Sequence, residues 1–374
     1  MTLIELMISL VIGLLVLGAL LVVYLGSRAA YLTSDSLARV QESGRFAVEF
    51  IAQDARMSGF VGCRSRNLSV DDETLFSLAG KPGDPNDPPV QFSGGFDGVR
   101  GFDGSNAASI AQWKQPTGMT RVGSSDVLTI RRAGGAAVGI TGKSTWVTGT
   151  GGAVTLRHNA IGVRNDDIVA LGNCNRAVVF RVTNSPALTG IGNHPTVLEF
   201  KASGGGSGGA HGNDTSVPFN RLLQLEDDSR AQATGFAEIS YFIGENAAKR
   251  PSLFRAAGGA VEELVENVED MDIVYGLDTT PPPDGDGVIE LYRRADQIAA
   301  ADWGRVVSAR ISLLVVSPLD PGIEDPARNV VTTNLQTYFF RETNDDGRAD
   351  EQTAPDRRLR HVFTTTISLR NRAP

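Results

Sequence analysis

The chain contains 374 residues, 41% of them hydrophobic and 21% charged, with 42 glycines and a formal net charge of -8. This length fits a stalk plus one large or two moderate domains, and the glycine content predicts a β-rich body with many turns and long loops. The acidic balance disfavours general binding to nucleic acid or anionic lipid, so no nucleic-acid partner is expected. A basic cluster near the C-terminus alternates with acidic and apolar residues, as in a solvated strand face: Arg357, Arg358, Arg360, Arg370 and Arg372.

The N-terminal segment is apolar enough to cross a membrane. Residues 6–26 contain no charged side chain. As a helix, residues 6–25 would span about 30 Å, the thickness of one hydrocarbon core. A secretory signal peptide has a basic region before a shorter apolar core and a small-residue cleavage site after it. This segment lacks both features, so we predict a retained membrane anchor.

The helical pattern continues beyond the apolar segment. One stripe of small and apolar residues recurs at steps of three or four: Leu37, Val40, Gly44, Ala47, Val48, Ile51 and Ala55. Charged residues are assigned to the opposite face: Arg39, Glu42, Arg45, Glu49 and Asp54. The pattern ends at Ser58-Gly59, where glycine is a common helix stop. We predict one helix over residues 2–57, about 80 Å long, with an apolar half (residues 1–27) and an amphipathic half (residues 28–58) that packs on a globular body.

Glu5 stands at the head of the apolar segment and is costly there unless it is paired. One hypothesis pairs its carboxylate with an α-amino group, its own or that of a neighbouring subunit in a staggered bundle of helices. The alternative is a glutamate at the membrane surface that faces lipid headgroups. The cost of an unpaired carboxylate is avoided in both arrangements, so both hypotheses stay open on physical grounds.

Beyond Gly59 the sequence changes to short strands bounded by glycine, asparagine and proline. Strands are predicted over residues 126–132, 153–158, 167–172, 177–183, 196–201, 236–244, 270–277, 305–317, 334–340 and 361–371. Residues 295–303 predict a short helix, and residues 81–104 a long surface loop. The predicted class is α+β: a long N-terminal helix packed on antiparallel sheets.

No catalytic motif is visible, so no enzymatic activity is expected. The four histidines are scattered, and the glycine tract at residues 203–213 lacks the strand and helix that a nucleophile elbow or nucleotide-binding turn requires. The two cysteines, Cys63 and Cys174, do not form a metal motif. They form a disulfide if the body lies outside the cytoplasm, and otherwise two buried thiols.

Two acidic stretches contain oxygen ligands of the type that Ca²⁺ prefers. The first offers Asp278, Asp284, Asp286 and Glu290 around a glycine turn. The second offers Asn344, Asp345, Asp346, Asp350 and Glu351. Neither fits a complete twelve-residue calcium loop, and Pro281–Pro283 interrupts the first stretch. A hydrated turn is the favoured interpretation of both stretches, because aspartate and glycine favour turns. A structural calcium is the one cofactor that the sequence suggests.

The start of the chain resembles the mature N-terminus of type IV pilins and type II secretion pseudopilins. The matching residues are Thr2-Leu3-Ile4-Glu5-Leu6 and the apolar stretch after them. Four further segments resemble PilW-type minor pilins and, in the C-terminal part, J-type pseudopilins: "ESGRFAVEFIAQDARMSGFVGC", "VENVEDMDIVYGLDT", "WGRVVSARISLLVVS" and "RLRHVFTTTISLRNR". Residues 236–374 are accordingly assigned to a PilW- or J-like region, and residues 59–235 to a variable β-rich region.

The resemblance implies a structural subunit of a type IV pilus tip complex, with minor pilins of the PilV, PilX, FimU and PilE types, the major pilin and a tip adhesin. Such a complex primes pilus assembly and supports adhesion and twitching motility. The resemblance also implies insertion in the bacterial inner membrane with a periplasmic body, and an N-terminus at Met1 that is methylated after a leader is removed. The numbering then starts at the mature end or at a truncated start. The alternatives are a J-type pseudopilin and a membrane-anchored periplasmic hydrolase or binding protein.

Overall fold

The computed structural model describes residues 3–60, 75–77, 98–141, 144–173, 177–204, 212–215, 231–280, 286–318, 336–341, 349–356 and 358–369. Several predicted site residues lie outside these ranges: Met1, Cys63, Cys174, Asp284, Asn344, Asp345 and Asp346.

A single long helix, α1 (Leu3–Arg56), begins the structure. The chain turns after Arg56, and Gly59 adopts a left-handed φ of 74° that favours glycine. The Gly59 N–H donates to the Arg131 carbonyl at 2.9 Å, which fixes the exit of the helix onto the body. The predicted long helix and its glycine stop are therefore confirmed.

The body follows as short strands with few helical turns. In chain order the elements are β1 (Leu75–Ser77), β2 (Val99–Phe102), α2 (Ala107–Ile110), β3 (Val127–Gly139), β4 (Thr145–Val147), β5 (Gly151–Leu156), β6 (Ile168–Gly172), β7 (Ala177–Arg181), β8 (Thr196–Lys201), β9 (Gln232–Glu245), β10 (Pro251–Ala257), β11 (Ala260–Glu266), β12 (Val268–Leu277), β13 (Leu291–Arg294), β14 (Val306–Val316), β15 (Thr337–Phe339), β16 (Glu351–Thr353) and β17 (Arg360–Ser368).

The strands form four sheets. An eight-stranded sheet has the order β1-β7-β6-β9-β10-β11, with β3 pairing to β9 and β2 to β3. A four-stranded sheet has the order β13-β12-β14-β17, and β4-β5-β8 and β15-β16 form the two smaller sheets. All pairs are antiparallel except β1 with β7. The α+β class with an antiparallel body is confirmed.

Each predicted strand corresponds to a strand of the structure, but the predicted loop at residues 81–104 is wrong at its end, because β2 lies there. Gly101 explains this strand: a side chain at that position would collide with the Tyr275 hydroxyl, so glycine allows β2 to lie against β12. The short helix predicted at residues 295–303 is a pair of 3-10 turns, Ala295–Gln297 and Ala300–Arg305. Strand β9 runs across residue 235, so both predicted regions of the body contribute to one sheet.

The main core lies where α1 meets both large sheets. Val40, Ala47 and Ile51 of the helix share one buried cluster with residues of β3, β9, β12 and β14. A second cluster fills the space between the eight-stranded and three-stranded sheets, around Phe180 and Phe200. The first cluster holds the C-terminal half of α1 and leaves its N-terminal half free of the body.

Candidate assembly site

The N-terminal half of α1 presents a continuous apolar surface that nothing in the described structure covers. Its large apolar side chains are all more than half exposed, from 53% at Val16 to 80% at Leu3. Within the described residues, α1 is the one helix long and apolar enough to cross a membrane. An apolar surface of this extent requires lipid or protein to cover it.

Glu5 lies in the first turn of α1. Further along, a methyl group added at Gly13, Gly18 or Gly26 would meet nothing within 4 Å. Small residues of this kind let another helix approach closely. The apolar half of α1 is therefore shaped for contact with lipid or with other helices.

The C-terminal half of α1 is seated on the body through the predicted stripe. Val40, Ala47, Ile51 and Ala55 are all at most 1% exposed. Gly44 belongs to the same stripe, and a side chain there would collide with the ring of Phe363 in β17. Leu37, at the start of the predicted stripe, is 41% exposed, because the helix has not yet reached the sheets at that point.

Asp54 corrects the predicted polar face, because this aspartate is buried against the body. Its carboxylate lies 2.8 Å from Arg132 Nη2 and 3.3 Å from Arg255 Nε, and it accepts a 2.7 Å hydrogen bond from the Tyr241 hydroxyl. Burial, together with Asp54, raises the pKa of Tyr241, so the phenol stays protonated as a donor. Through these ion pairs and this hydrogen bond, Asp54 attaches the end of α1 to β3, β9 and β10.

The sequence contains one signal for the burial of Asp54. Asp54 follows Ala47 by seven residues and Ile51 by three, so it continues the buried stripe rather than the charged face. Its partners Arg132, Tyr241 and Arg255 are distant in the chain, and only the fold brings them to the helix.

A second buried acid connects the two large sheets. Asp126, at the start of β3, accepts backbone hydrogen bonds from Gly104 and from Ile273 in β12, each at 2.9 Å. Burial and the nearby Asp272 carboxylate raise the pKa of Asp126 to about 8. No sequence motif marks this residue, because its partners lie in other elements.

Arginines surround the same junction. Arg294 lies 3.0 Å from the Asp103 carboxylate, and Arg341 lies 3.2 Å from Asp270 and 3.6 Å from Asp272. Burial raises the pKa of Asp270 and Asp272, and the charge of Arg341 opposes that shift. The pairing of charges at this junction couples the variable region to the C-terminal region.

Arg360 corrects the prediction that the C-terminal basic cluster is a solvated strand face. Its side chain is fully buried and binds Glu269 at 2.7 Å and Asp356 at 2.5 Å. Burial would raise the pKa of Asp356, but hydrogen bonds from Arg360 and Arg358 outweigh it and lower that pKa to about 2. This residue starts β17 as part of a buried ion-pair network, not as a surface charge.

The first predicted calcium stretch is partly assembled by the fold. Carboxylate oxygens of Asp278, Asp286 and Glu290 lie within 4.8 Å of one another. These groups also accept hydrogen bonds from their own turn: Asp278 from Gly287 N–H at 2.9 Å and Glu290 from Thr279 N–H at 2.7 Å. Asp284, the other predicted ligand, lies outside the described residues, so calcium binding stays a prediction.

In the second acidic stretch, Asp350 and Glu351 lie at the start of β16, the second strand of the β15-β16 hairpin. The Asp350 N–H donates to the Arg341 carbonyl at 2.8 Å, and the Asp350 carbonyl accepts from the Phe340 N–H at 3.0 Å. The backbone of this stretch therefore closes a hairpin. Calcium binding here also stays a prediction.

The comparison with known protein families gives a match in the C-terminal part of the chain. Residues 240–371, which contain the C-terminal end of β9 and all of β10 to β17, match the family described as Type IV Pilus-assembly protein W. The match covers about a third of the chain, so this C-terminal part is similar to the PilW family. Neither the curated proteins nor the solved structures yield a match.

The matched family is one of type IV pilus assembly, and the match supports a role of that kind. The matched PilW segment supplies β14 and β17, which contact α1 directly. The apolar helix and the family-matched sheet therefore form one unit.

Proposed function

We propose that this chain is a minor pilin of a type IV pilus tip complex that primes pilus assembly and supports adhesion and twitching motility. The observation that carries the proposal is the uncovered apolar half of α1. This half continues without a break into the part of the helix that packs on strands of the segment matched to PilW. The proposed partners are minor pilins of the PilV, PilX, FimU and PilE types, the major pilin and a tip adhesin.

The proposed mechanism uses one apolar surface twice. The N-terminal half of α1 first holds the subunit in the inner membrane, with its N-terminus in the cytoplasm and its body in the periplasm. On extraction, the same surface packs against neighbouring helices, so lipid contact is exchanged for protein contact. Glu5 pairs with the α-amino group of a neighbour and sets the axial register, and Met1 is the methylated N-terminus.

A J-type pseudopilin is the alternative from the same structural class, and neighbouring genes for pilus biogenesis or for secretion separate the two. A membrane-anchored periplasmic hydrolase or binding protein is the alternative from another class. That alternative has no use for Glu5 once the helix is inserted, so it predicts that a change at this residue leaves localisation and activity unchanged.

Glu5→Ala tests the proposed function. We expect the variant to remain in the membrane fraction, but its amount in sheared pili to fall about tenfold or more, because the pairing of Glu5 with a neighbour's α-amino group is lost. A tenfold loss corresponds to about 1.4 kcal/mol of assembly free energy. Glu42→Ala is the matched control, because Glu42 is an exposed carboxylate on the same helix outside the apolar half. Immunoblots of membrane and pilus fractions provide the measurement. Pili that contain the Glu5 variant at the wild-type level contradict the proposal.

A further inference from the structure

Strand β17 is the outer strand of the four-stranded sheet, and half of its backbone groups face away from that sheet. It pairs with β14 without a register shift from Val316↔Arg360 to Ser308↔Ser368. The Leu369 N–H donates to the Val307 carbonyl at 2.9 Å. Since antiparallel residues alternate between bonded and non-bonded pairs, the odd-numbered residues of β17 bond to β14 and the even-numbered ones point outward.

The outward backbone N–H and carbonyl of Arg360, the first residue of β17, already bind a side-chain amide. The Arg360 N–H donates to Gln336 Oε1 at 2.8 Å, and Gln336 Nε2 donates to the Arg360 carbonyl at 2.7 Å. This two-bond pattern is the one that a peptide group of an adjacent strand would make. No described residue bonds to the outward backbone groups that follow, those of Val362, Thr364, Thr366 and Ser368.

Two other edges of the body, those of β8 and β11, are protected. The outer edge of β8 is capped by loop residues: Asn184 exchanges hydrogen bonds with the backbone of Glu199 and Val197, and Thr183 Oγ1 accepts from Lys201 N–H at 3.0 Å. Strand β11 ends the large sheet with Glu262, Glu263 and Glu266, and its pairing with β10 is irregular. Charges and irregular pairing are the usual protection of an edge strand.

Beyond the Gln336 contact at Arg360, the described part of the β17 edge carries none of these features. Residues 361–369 contain no aspartate, glutamate, lysine, arginine or proline, and the strand is nine residues long. A long, regular, uncharged edge is a template for another strand. Three adjacent threonines, Thr364 to Thr366, also favour extended backbone.

We propose that the outer edge of β17 binds an extended segment of another pilus subunit, which adds as a fifth strand to the four-stranded sheet. The proposal rests on the proposed pilin function for the class of partner. The outward groups of residues 362–368 would bind a segment of about seven to nine residues. That segment is expected to be uncharged, rich in β-branched or hydroxyl residues and free of proline where it donates to β17.

A second copy of this chain does not fit the edge by antiparallel pairing. The two-fold axis that relates antiparallel edge strands runs perpendicular to the sheet, so it would reverse the helix that lies on that sheet. The α1 helices of the two copies would then point in opposite directions, and their apolar halves could not enter one membrane. Antiparallel pairing of two copies is therefore excluded, and we assign the edge to a strand from a different pilus subunit.

Two substitutions at one exposed residue isolate the backbone contribution. Thr366→Pro removes the outward N–H donor without removing a bond to β14, whereas Thr366→Val keeps that N–H and a side chain of the same shape. The probes are the purified full-length minor pilins of the same cell, titrated in detergent against the full-length chain. We expect wild type and Thr366→Val to bind one of them equally, and Thr366→Pro to bind it about tenfold or more weakly.

Hydrogen exchange on the wild-type chain gives a second measurement that does not depend on how Thr366→Pro folds. Alone, the amides of residues 362, 364, 366 and 368 should exchange faster than those of 361, 363, 365 and 367, and the partner should slow the first set about tenfold or more. Equal protection of both sets in the isolated chain overturns the proposal. Thr366→Lys, which places a charge on the edge, should also weaken binding.

Complementation of a deletion strain separates this inference from the proposed function. If the wild-type gene does not restore piliation, the proposed pilin function fails. If it does, and Thr366→Pro restores piliation and binds the partner as well as Thr366→Val, only the β17 inference fails.

Discussion

Asp126 shows how one buried carboxyl group connects regions that are far apart in the chain. Its side chain is 3% exposed and holds Gly104 of the variable region and Ile273 of β12 through backbone hydrogen bonds. Asp103, Asp270 and Asp272 lie around it, balanced by Arg294 and Arg341. Such a site makes the stability of the junction depend on pH.

We expect the free energy of unfolding to fall as pH rises from about 5 to 8. The pKa of Asp126 is raised from 3.8 to about 8, so the folded chain keeps a proton that the unfolded chain has already lost, and the stabilising effect of that proton disappears towards pH 8. Asp270 and Asp272 act in the same direction. Asp356, whose pKa is lowered to about 2, acts in the opposite direction, and its contribution is lost only as the pH falls below about 4.

Asp126→Asn should flatten this dependence, because asparagine does not titrate. Urea unfolding at several pH values between 5 and 8 measures the slope. Glu262→Gln, at an exposed glutamate of β11, should leave the slope unchanged. A variant at Asp126 with the wild-type slope would assign the titration to another group.

At the scale of elements, the two halves of the single helix α1 have different surroundings. Its apolar half is exposed throughout, while its amphipathic half is held by close contact with β17 and by the Asp54 ion pairs. Gly44 is the point of closest approach, because the Phe363 ring occupies the space where a side chain would stand. The ring is itself packed edge-to-face on His361 at 4.7 Å between ring centroids.

Gly44→Ala should therefore destabilise the body. Alanine would stabilise an isolated helix by about 1 kcal/mol, but overpacking against Phe363 costs about 1–3 kcal/mol, so we expect a net loss. Thermal unfolding of the full-length chain in detergent measures this loss as a lower unfolding midpoint. Gly26→Ala is the control in the same helix, since nothing lies within 4 Å of an added methyl group there. Phe363→Leu should recover part of the loss in the double variant, and an unchanged Gly44→Ala midpoint would contradict this account.

At the scale of the whole molecule, the residues just after α1 meet the start of β7. Phe60, at the end of the helical turn, packs in one cluster with Ala177 at the start of β7. Cys63 lies three residues after Phe60, and Cys174 lies three residues before Ala177. Three extended residues reach about 10 Å, so this spacing along the chain permits a disulfide. Both cysteines lie outside the described residues, and the bond stays a prediction.

We therefore predict the Cys63–Cys174 disulfide in chain purified from an oxidising compartment. Intact mass with and without reduction, followed by alkylation, measures it. The closed loop of about 110 residues corresponds to about 4–5 kcal/mol in the chain-entropy model. Cys63→Ser and Cys174→Ser should each lower the unfolding midpoint by the same amount, and the double variant no further. Two alkylated thiols in unreduced protein would refute the bond.

The sequence by itself determined the features that depend on local periodicity. The extent of α1, its glycine stop, the buried stripe through Ile51 and ten strands of the body are visible because neighbouring residues encode them. Strands β2, β10 and β11 are not among the predicted ones. The resemblance to PilW-type pilins rests on the same local segments, and the family match at residues 240–371 agrees with it.

Only the tertiary structure decided which charges are buried, which strand fills part of a predicted loop and which edge stays open. Asp54 meets Arg132 across 78 positions of the chain, and Asp126 meets Ile273 across 147. Such pairs form when strands from distant segments are brought side by side, and no short window of sequence records them. The open edge of β17 has the same origin, because an unpaired backbone is a property of the sheet order and not of the strand's own residues.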